Sequence, residues 1–193
     1  MENQLQNTVW RISLIIAPLL VAISQFFWSN GVLGETSGVI QIYGFVFWVI
    51  AYQGMFEQLR PQYPRYATFG FIVAVLACVG GCFFGFEGLY NEALGISDTA
   101  AASELHAKFG TGRVIALLLP GVANPLSWLV MAVMLWKAGK TLWWQSCTLG
   151  LAAILFPMSR IPRIPWLAHA DNALMLIAMC LISYQLFSAR NKD

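Results

Sequence analysis

Charge is what this sequence has least of. Its 193 residues include 11 Lys and Arg and 9 Asp and Glu, 10% in all, where an ordinary soluble domain has about 25%. That shortage excludes a soluble globular domain. The 59% hydrophobic content and net charge of +2 exclude a disordered chain as well, because disorder needs low hydrophobicity and high net charge. A charge so near neutral leaves no basic face for nucleic acid, so no nucleic-acid partner is expected. Histidine is scarce too, with 2 in the chain. The motifs HExxH, GxSxG and the phosphate-cradling GxxxxGKS/T do not occur. Cys78, Cys82, Cys147 and Cys180 all fall in apolar segments without a CxxC pair, so neither a disulfide framework nor a metal site follows from them. No metal and no cofactor are expected.

What the chain does have is long apolar runs. A bilayer core about 30 Å thick is crossed by about 20 apolar residues in helix. Stretches of that kind run over 12–28, 39–59, 67–86, 114–136, 142–159 and 166–187. They lack the period-two alternation of a membrane barrel, and helices satisfy their own backbone in lipid. The sequence therefore predicts an all-α fold, a single membrane domain over 1–193 with six transmembrane helices. The first run is longer than a signal-peptide core and has no small-x-small cleavage site, so it reads as a retained helix. With the amino end inside, Arg11, Arg60, Arg65, Lys137, Lys140, Arg190 and Lys192 fall on the inner side, and Lys108, Arg113, Arg160 and Arg163 on the outer. That bias predicts both termini cytoplasmic. Trp10, Trp28, Trp136, Trp143, Trp144 and Trp166 stand at span ends, where indoles suit the interface.

Four of the connections are short; the exception, 88–112, is expected outside. Within it Asp98 can cap a short helix through Phe109, with Glu104 and Lys108 paired, Gly110 as its stop, and Leu105 and Phe109 on one face. The third span carries Gly80, Gly81, Gly85 and Gly88. Gly81 and Gly85 form a small-xxx-small pair suited either to packing within the bundle or to oligomerisation. In the fourth span Pro120 and Pro125 flank Asn124, with Ser127 following. Each proline removes a backbone donor, and broken helices near the midplane are one way in which transporters build sites.

The ionisable residues near span ends gather on one side. Glu87 ends the third span, His106 and Arg113 precede the fourth, Arg160 and Arg163 follow the fifth, and His169 and Asp171 lie in the first turns of the sixth. Charge inside a membrane costs roughly 2.5–3.5 kcal/mol on insertion scales, so these groups need a partner or a purpose. Prolines 157, 162 and 165 stiffen the joint that carries the two arginines, and arginine suits planar recognition of carboxylate or phosphate. Two readings follow. In one, Arg160 or Arg163 pairs with Asp171 or Glu87. In the other, Arg160, Arg163, His169, Asp171, Glu87 and Asn124 line a substrate-binding pocket for an anionic group, with His169 and Asp171 available for proton transfer.

The Asn7-Thr8 pair, the Trp136-Lys-Ala-Gly-Lys140 joint and the run Leu155-Phe-Pro-Met-Ser-Arg-Ile-Pro-Arg-Ile-Pro-Trp-Leu-Ala-His169 resemble uncharacterised multi-pass bacterial membrane proteins of about this length. The resemblance implies the six-helix arrangement and brings no activity with it. The expectation is an integral protein of the bacterial plasma (inner) membrane whose partners are the lipid bilayer and a small-molecule or lipid ligand. Its function would be binding or transport of a small or amphiphilic, anionic molecule through an outer-face polar pocket. The alternatives are an intramembrane enzyme acting on a lipid or isoprenoid, and an accessory subunit of a membrane complex.

Overall fold

A computed structural model of the chain describes residues 2–108 and 110–187, with Glu2, Asn3 and Arg113 described as backbone only. Phe109, and with it the expected Leu105 and Phe109 face, lies outside the described residues. So do Arg190, Lys192 and Asp193, which entered the topology count.

The fold is all-helical apart from one small hairpin. Helix α1 spans Glu2–Gln25, strands β1 Trp28–Ser29 and β2 Val32–Leu33 follow, and α2 spans Glu35–Leu59. Helix α3 is Pro64–Ala93, α4 is Thr99–Ala107, and α5 is the single turn Gly110–Arg113. A π-helical turn, Val114–Leu118, leads into α6 Leu119–Lys137; α7 is Trp143–Arg160 and α8 is Pro165–Phe187. Among the described residues, five helical stretches are long and apolar enough to cross a membrane: Gln4–Gln25, Glu35–Leu59, Pro64–Ala93, Gly110–Lys137 and Pro165–Phe187. The run at 142–159 forms α7, which is not among those five. Its 18 residues reach about 27 Å at 1.5 Å per residue, a little less than an average bilayer core, and they include Gln145, Ser146, Thr148 and Ser159.

Three boundaries differ from the sequence expectation, each for a local reason. The first span stops at Gln25 instead of 28 because Asn30 (φ 49°) and Gly31 (φ 75°) make a two-residue turn that pairs Trp28 with Leu33 and Ser29 with Val32. Positive φ at both turn positions is the hairpin geometry that Asn-Gly favours. The third helix continues past its glycines to Ala93, so the long connection begins at Leu94 and not at 88. Glycine there is a packing device: a Cβ on Gly85 would meet the Gly38 carbonyl at 2.8 Å, and one on Gly81 would strike the Phe45 ring. These contacts cover Gly81 and Gly85 with α2 of the same chain, which is the packing reading of the pair. Finally, the fourth span starts as π-helix and passes into α6 at Pro120, whose missing N–H interrupts the ladder where one helix type gives way to the other. The short helix of the long connection forms as expected, with Asp98 Oδ1 accepting from the Ala101 N–H at 2.9 Å.

The long helices form a closed ring. Each of α1, α2, α3, α6, α7 and α8 packs on the next, and α8 returns to α1. The interior is filled by Leu14, Trp48, Tyr52, Phe56, Trp128, Met131, Met179 and Ile182, all at most 2% exposed. Exposed Phe69, Ile72, Leu76, Leu126 and Ile177 lie on the outside, the inverse of a soluble bundle and what a lipid-facing surface requires. At one end of the ring the hairpin, the end of α3, α4 and the α7–α8 joint come together, and this end holds the ionisable groups.

Candidate functional site

The α7–α8 joint is closed in the same way as two other helix ends in the molecule. Ile164 N–H donates to the Ser159 carbonyl at 3.0 Å, as Ile96 N–H does to Asn91 and Lys140 N–H to Leu135. This six-residue closure needs a left-handed residue before the donor. Gly95 (φ 66°) and Gly139 (φ 65°) fill that place at the ends of α3 and α6, but Arg163 (φ 55°) fills it after α7. Left-handed backbone costs a residue with a Cβ roughly 1–2 kcal/mol. From this left-handed position the Arg163 side chain reaches the hairpin turn and the end of α3. Its Nη1 donates to the Gly31 carbonyl in the hairpin turn at 2.8 Å, and its Nη2 lies 3.4 Å from Glu87 Oε1. Arg160, three residues earlier, reaches inward: Nη2 donates to Asn172 Oδ1 at 2.6 Å and stands 3.7 Å from Asp171 Oδ2. The Trp28 ring takes both guanidinium groups, each with its Cζ 5.5 Å from the ring centre, a cation–π arrangement favourable to each of the two charges. His106 Nε2 of α4 comes within 3.2 Å of the same Glu87 oxygen.

Two cavities adjoin this framework. The larger, about 460 Å³, is lined by Gln25, Phe26, Trp28, Asn30, Gly31, Thr99, Pro162, Arg163, Pro165 and His169. Gln25, Trp28, Asn30, Arg163 and His169 bring side-chain nitrogens to its lining, and none of its lining residues is Asp or Glu. Gln25 Nε2 and Trp28 Nε1 are buried without a hydrogen-bond partner among the described residues. The His169 ring lies 4.6 Å from that of Phe26 at an angle of 42°. The smaller cavity, about 10 Å³, sits on the ring axis between Pro18, Val21, Trp48, Trp128, Phe156, Asp171, Asn172 and Met175.

The six candidates from the sequence therefore part company. Arg160 pairs with Asp171 and Arg163 with Glu87, which is the pairing reading in both of its forms. Arg163 and His169 share the large cavity, whereas Asp171 lines the small one. Residues two apart on a helix do not share a face, so His169 and Asp171 do not come together as an acid–base pair. Asn124 lies buried at 3.4 Å from the Tyr52 hydroxyl, which donates to its Oδ1, and lines neither cavity. Sequence reasoning missed Gln25, Trp28, the hairpin turn and Asn172. The Asn-Gly dipeptide was the available signal for the turn. Nothing in the sequence marks Trp28 as a platform for two arginines, since that contact joins residues more than 130 positions apart.

Compared with known protein families, with curated proteins and with solved structures, the chain finds no match in any of the three. Fold and composition define the class alone: an all-helical protein with helices suited to a membrane.

Proposed function

We propose that this is a multi-pass integral membrane protein that binds an anionic, amphiphilic molecule at the hairpin end of its bundle, with the head group in the large cavity. The carrying observation is the chemistry of the lining residues, several of which carry N–H groups and none of which is a carboxylate. Two buried donors, Gln25 Nε2 and Trp28 Nε1, have no partner among the described residues. Unmatched buried donors cost about 1–3 kcal/mol each, and an acceptor-rich head group relieves that cost. A volume of about 460 Å³ lies within the usual range for small-molecule sites, roughly 300–1,000 Å³. Exposed Phe26, Ile161 and Trp166 on the outside of the same end supply an apolar track for a hydrocarbon tail. With both termini cytoplasmic in a bacterial inner membrane, this end faces outward and α7 serves as a sixth, short span. Binding is favoured over passage across the membrane because Asn124 and Pro125 are packed in the core. It is favoured over acid–base catalysis because His169 and Asp171 belong to different cavities.

The test is native mass spectrometry of the protein released from its membrane, with copurified lipids identified after extraction. An anionic amphiphile is expected on the wild type. Its retention should fall about tenfold in Gln25→Leu with His169→Leu, the equivalent of one charged hydrogen bond. Equal retention by the variant, or a ligand without an anionic group, would overturn the reading.

A further inference from the structure

The small cavity on the ring axis has a use of its own, independent of the large one. Five of the six ring helices meet there: α1 through Pro18 and Val21, α2 through Trp48, α6 through Trp128, α7 through Phe156, and α8 through Asp171, Asn172 and Met175. Most of that lining is apolar. Three polar atoms of its lining residues are buried without a hydrogen-bond partner among the described residues, Trp48 Nε1, Asn172 Nδ2 and Asp171 Oδ1, and a fourth, Trp128 Nε1, stands beside the Tyr52 hydroxyl. Asp171 is 1% exposed, and its other oxygen faces Arg160 at 3.7 Å, beyond hydrogen-bond length. Arg160 spends its short contact on Asn172 Oδ1 instead. Half of a carboxylate and several N–H groups of the residues around one space are therefore left unmatched in the middle of an apolar bundle. Native interiors rarely tolerate that, because buried polar groups are nearly always matched by protein or by ordered water.

Size and valence narrow the occupant. A space of about 10 Å³ is close to the smallest that holds one water, and it is too small for an organic group. A bare anion would accept from the N–H groups but would meet Asp171, and a bare cation would meet three donors. Water has two lone pairs and two protons. We propose that this cavity is a binding site for a single internal water, which accepts from Trp48 Nε1 and Asn172 Nδ2 and donates to Asp171 Oδ1. Trp128, the remaining donor, has the Tyr52 hydroxyl as its neighbour. Asp171 stays in the core because Arg160 supplies charge on one side and the water supplies a hydrogen bond on the other.

The site is tested on the full chain in nanodiscs with ¹⁵N-labelled tryptophan. Signals from the indole N–H groups are assigned by Trp48→Phe and Trp128→Phe. In the wild type the Trp48 indole should give a cross-peak to water with the sign of a long-lived bound molecule. Asp171→Leu should abolish that cross-peak and leave the Trp143 and Trp166 indoles unchanged. A wild-type Trp48 indole with no bound water, or one that contacts lipid methylenes instead, would sink the proposal even if the leucine variant failed to fold. Persistence of the same cross-peak in Asp171→Leu would overturn the role given to the carboxylate. Head-group binding in the large cavity enters none of these readouts.

Discussion

At the end of the bundle made by the joint between α2 and α3, Arg60 holds Glu57 at 2.7 Å, with side chains 44% and 34% exposed. At the hairpin end, Arg163 stands 3.4 Å from Glu87 and Arg160 stands 3.7 Å from Asp171, and the two carboxylates are 7% and 1% exposed. Judged by distance, the first pair is the better one. Judged by what happens when a partner is removed, the order reverses, because water replaces a partner at the exposed pair and cannot do so at the buried ones. The hairpin end also spends backbone strain and cation–π contacts on its arginines, while the other end spends neither. An arrangement of that kind fixes where its side chains point, and one of the two arginines, Arg163, lines the large cavity.

The largest test of this contrast is Glu87→Ala. It leaves Arg163 and His106 facing each other without their shared carboxylate and should destabilise the fold by about 3–5 kcal/mol, read as a lowered midpoint of unfolding in detergent. A loss below about 1 kcal/mol would mean that water reaches this end as freely as the other. A middle-sized effect comes from the left-handed closure. Arg163→Gly should be more stable than Arg163→Ala by about 1 kcal/mol, because both lose the guanidinium and only alanine keeps the strained Cβ. Gly139→Ala, at the equivalent place after α6, should lose about the same amount. If Arg163→Ala matched Arg163→Gly, the strain assigned to that joint would be absent. The smallest effect belongs to Arg60→Ala, which should change stability by at most about 1 kcal/mol, and by less as salt is raised.

How much of this could be seen in the sequence depends on the range of the interaction concerned. The apolar runs were legible because crossing a bilayer is a matter of length and composition. Asp98 marked a cap, and the gathering of Glu87, Arg160, Arg163, His169 and Asp171 toward one end followed from the up-and-down order of the helices. The hairpin was legible in Asn30-Gly31 and was passed over because Trp28 also fitted a span end. The length of α3 was not legible, because Gly85 and Gly88 signal a helix end or a close contact equally well until α2 is in place. Nor was the separation of the site residues. Periodicity puts His169 and Asp171 on different faces, but it does not say that one face borders a cavity beside the hairpin and the other borders the bundle axis.

The sequence by itself thus determined the solvent this chain is built for and the end at which its charges collect, since both depend on hydrophobic length and on connectivity along the chain. The tertiary structure decided which arginine meets which carboxylate, that Gly81 and Gly85 pack on α2, and that the polar groups divide between two cavities. Those outcomes depend on the ring closure of α8 on α1 and on a left-handed residue at 163, and contacts of that kind are set by packing across the bundle and not by the order of residues within any one helix.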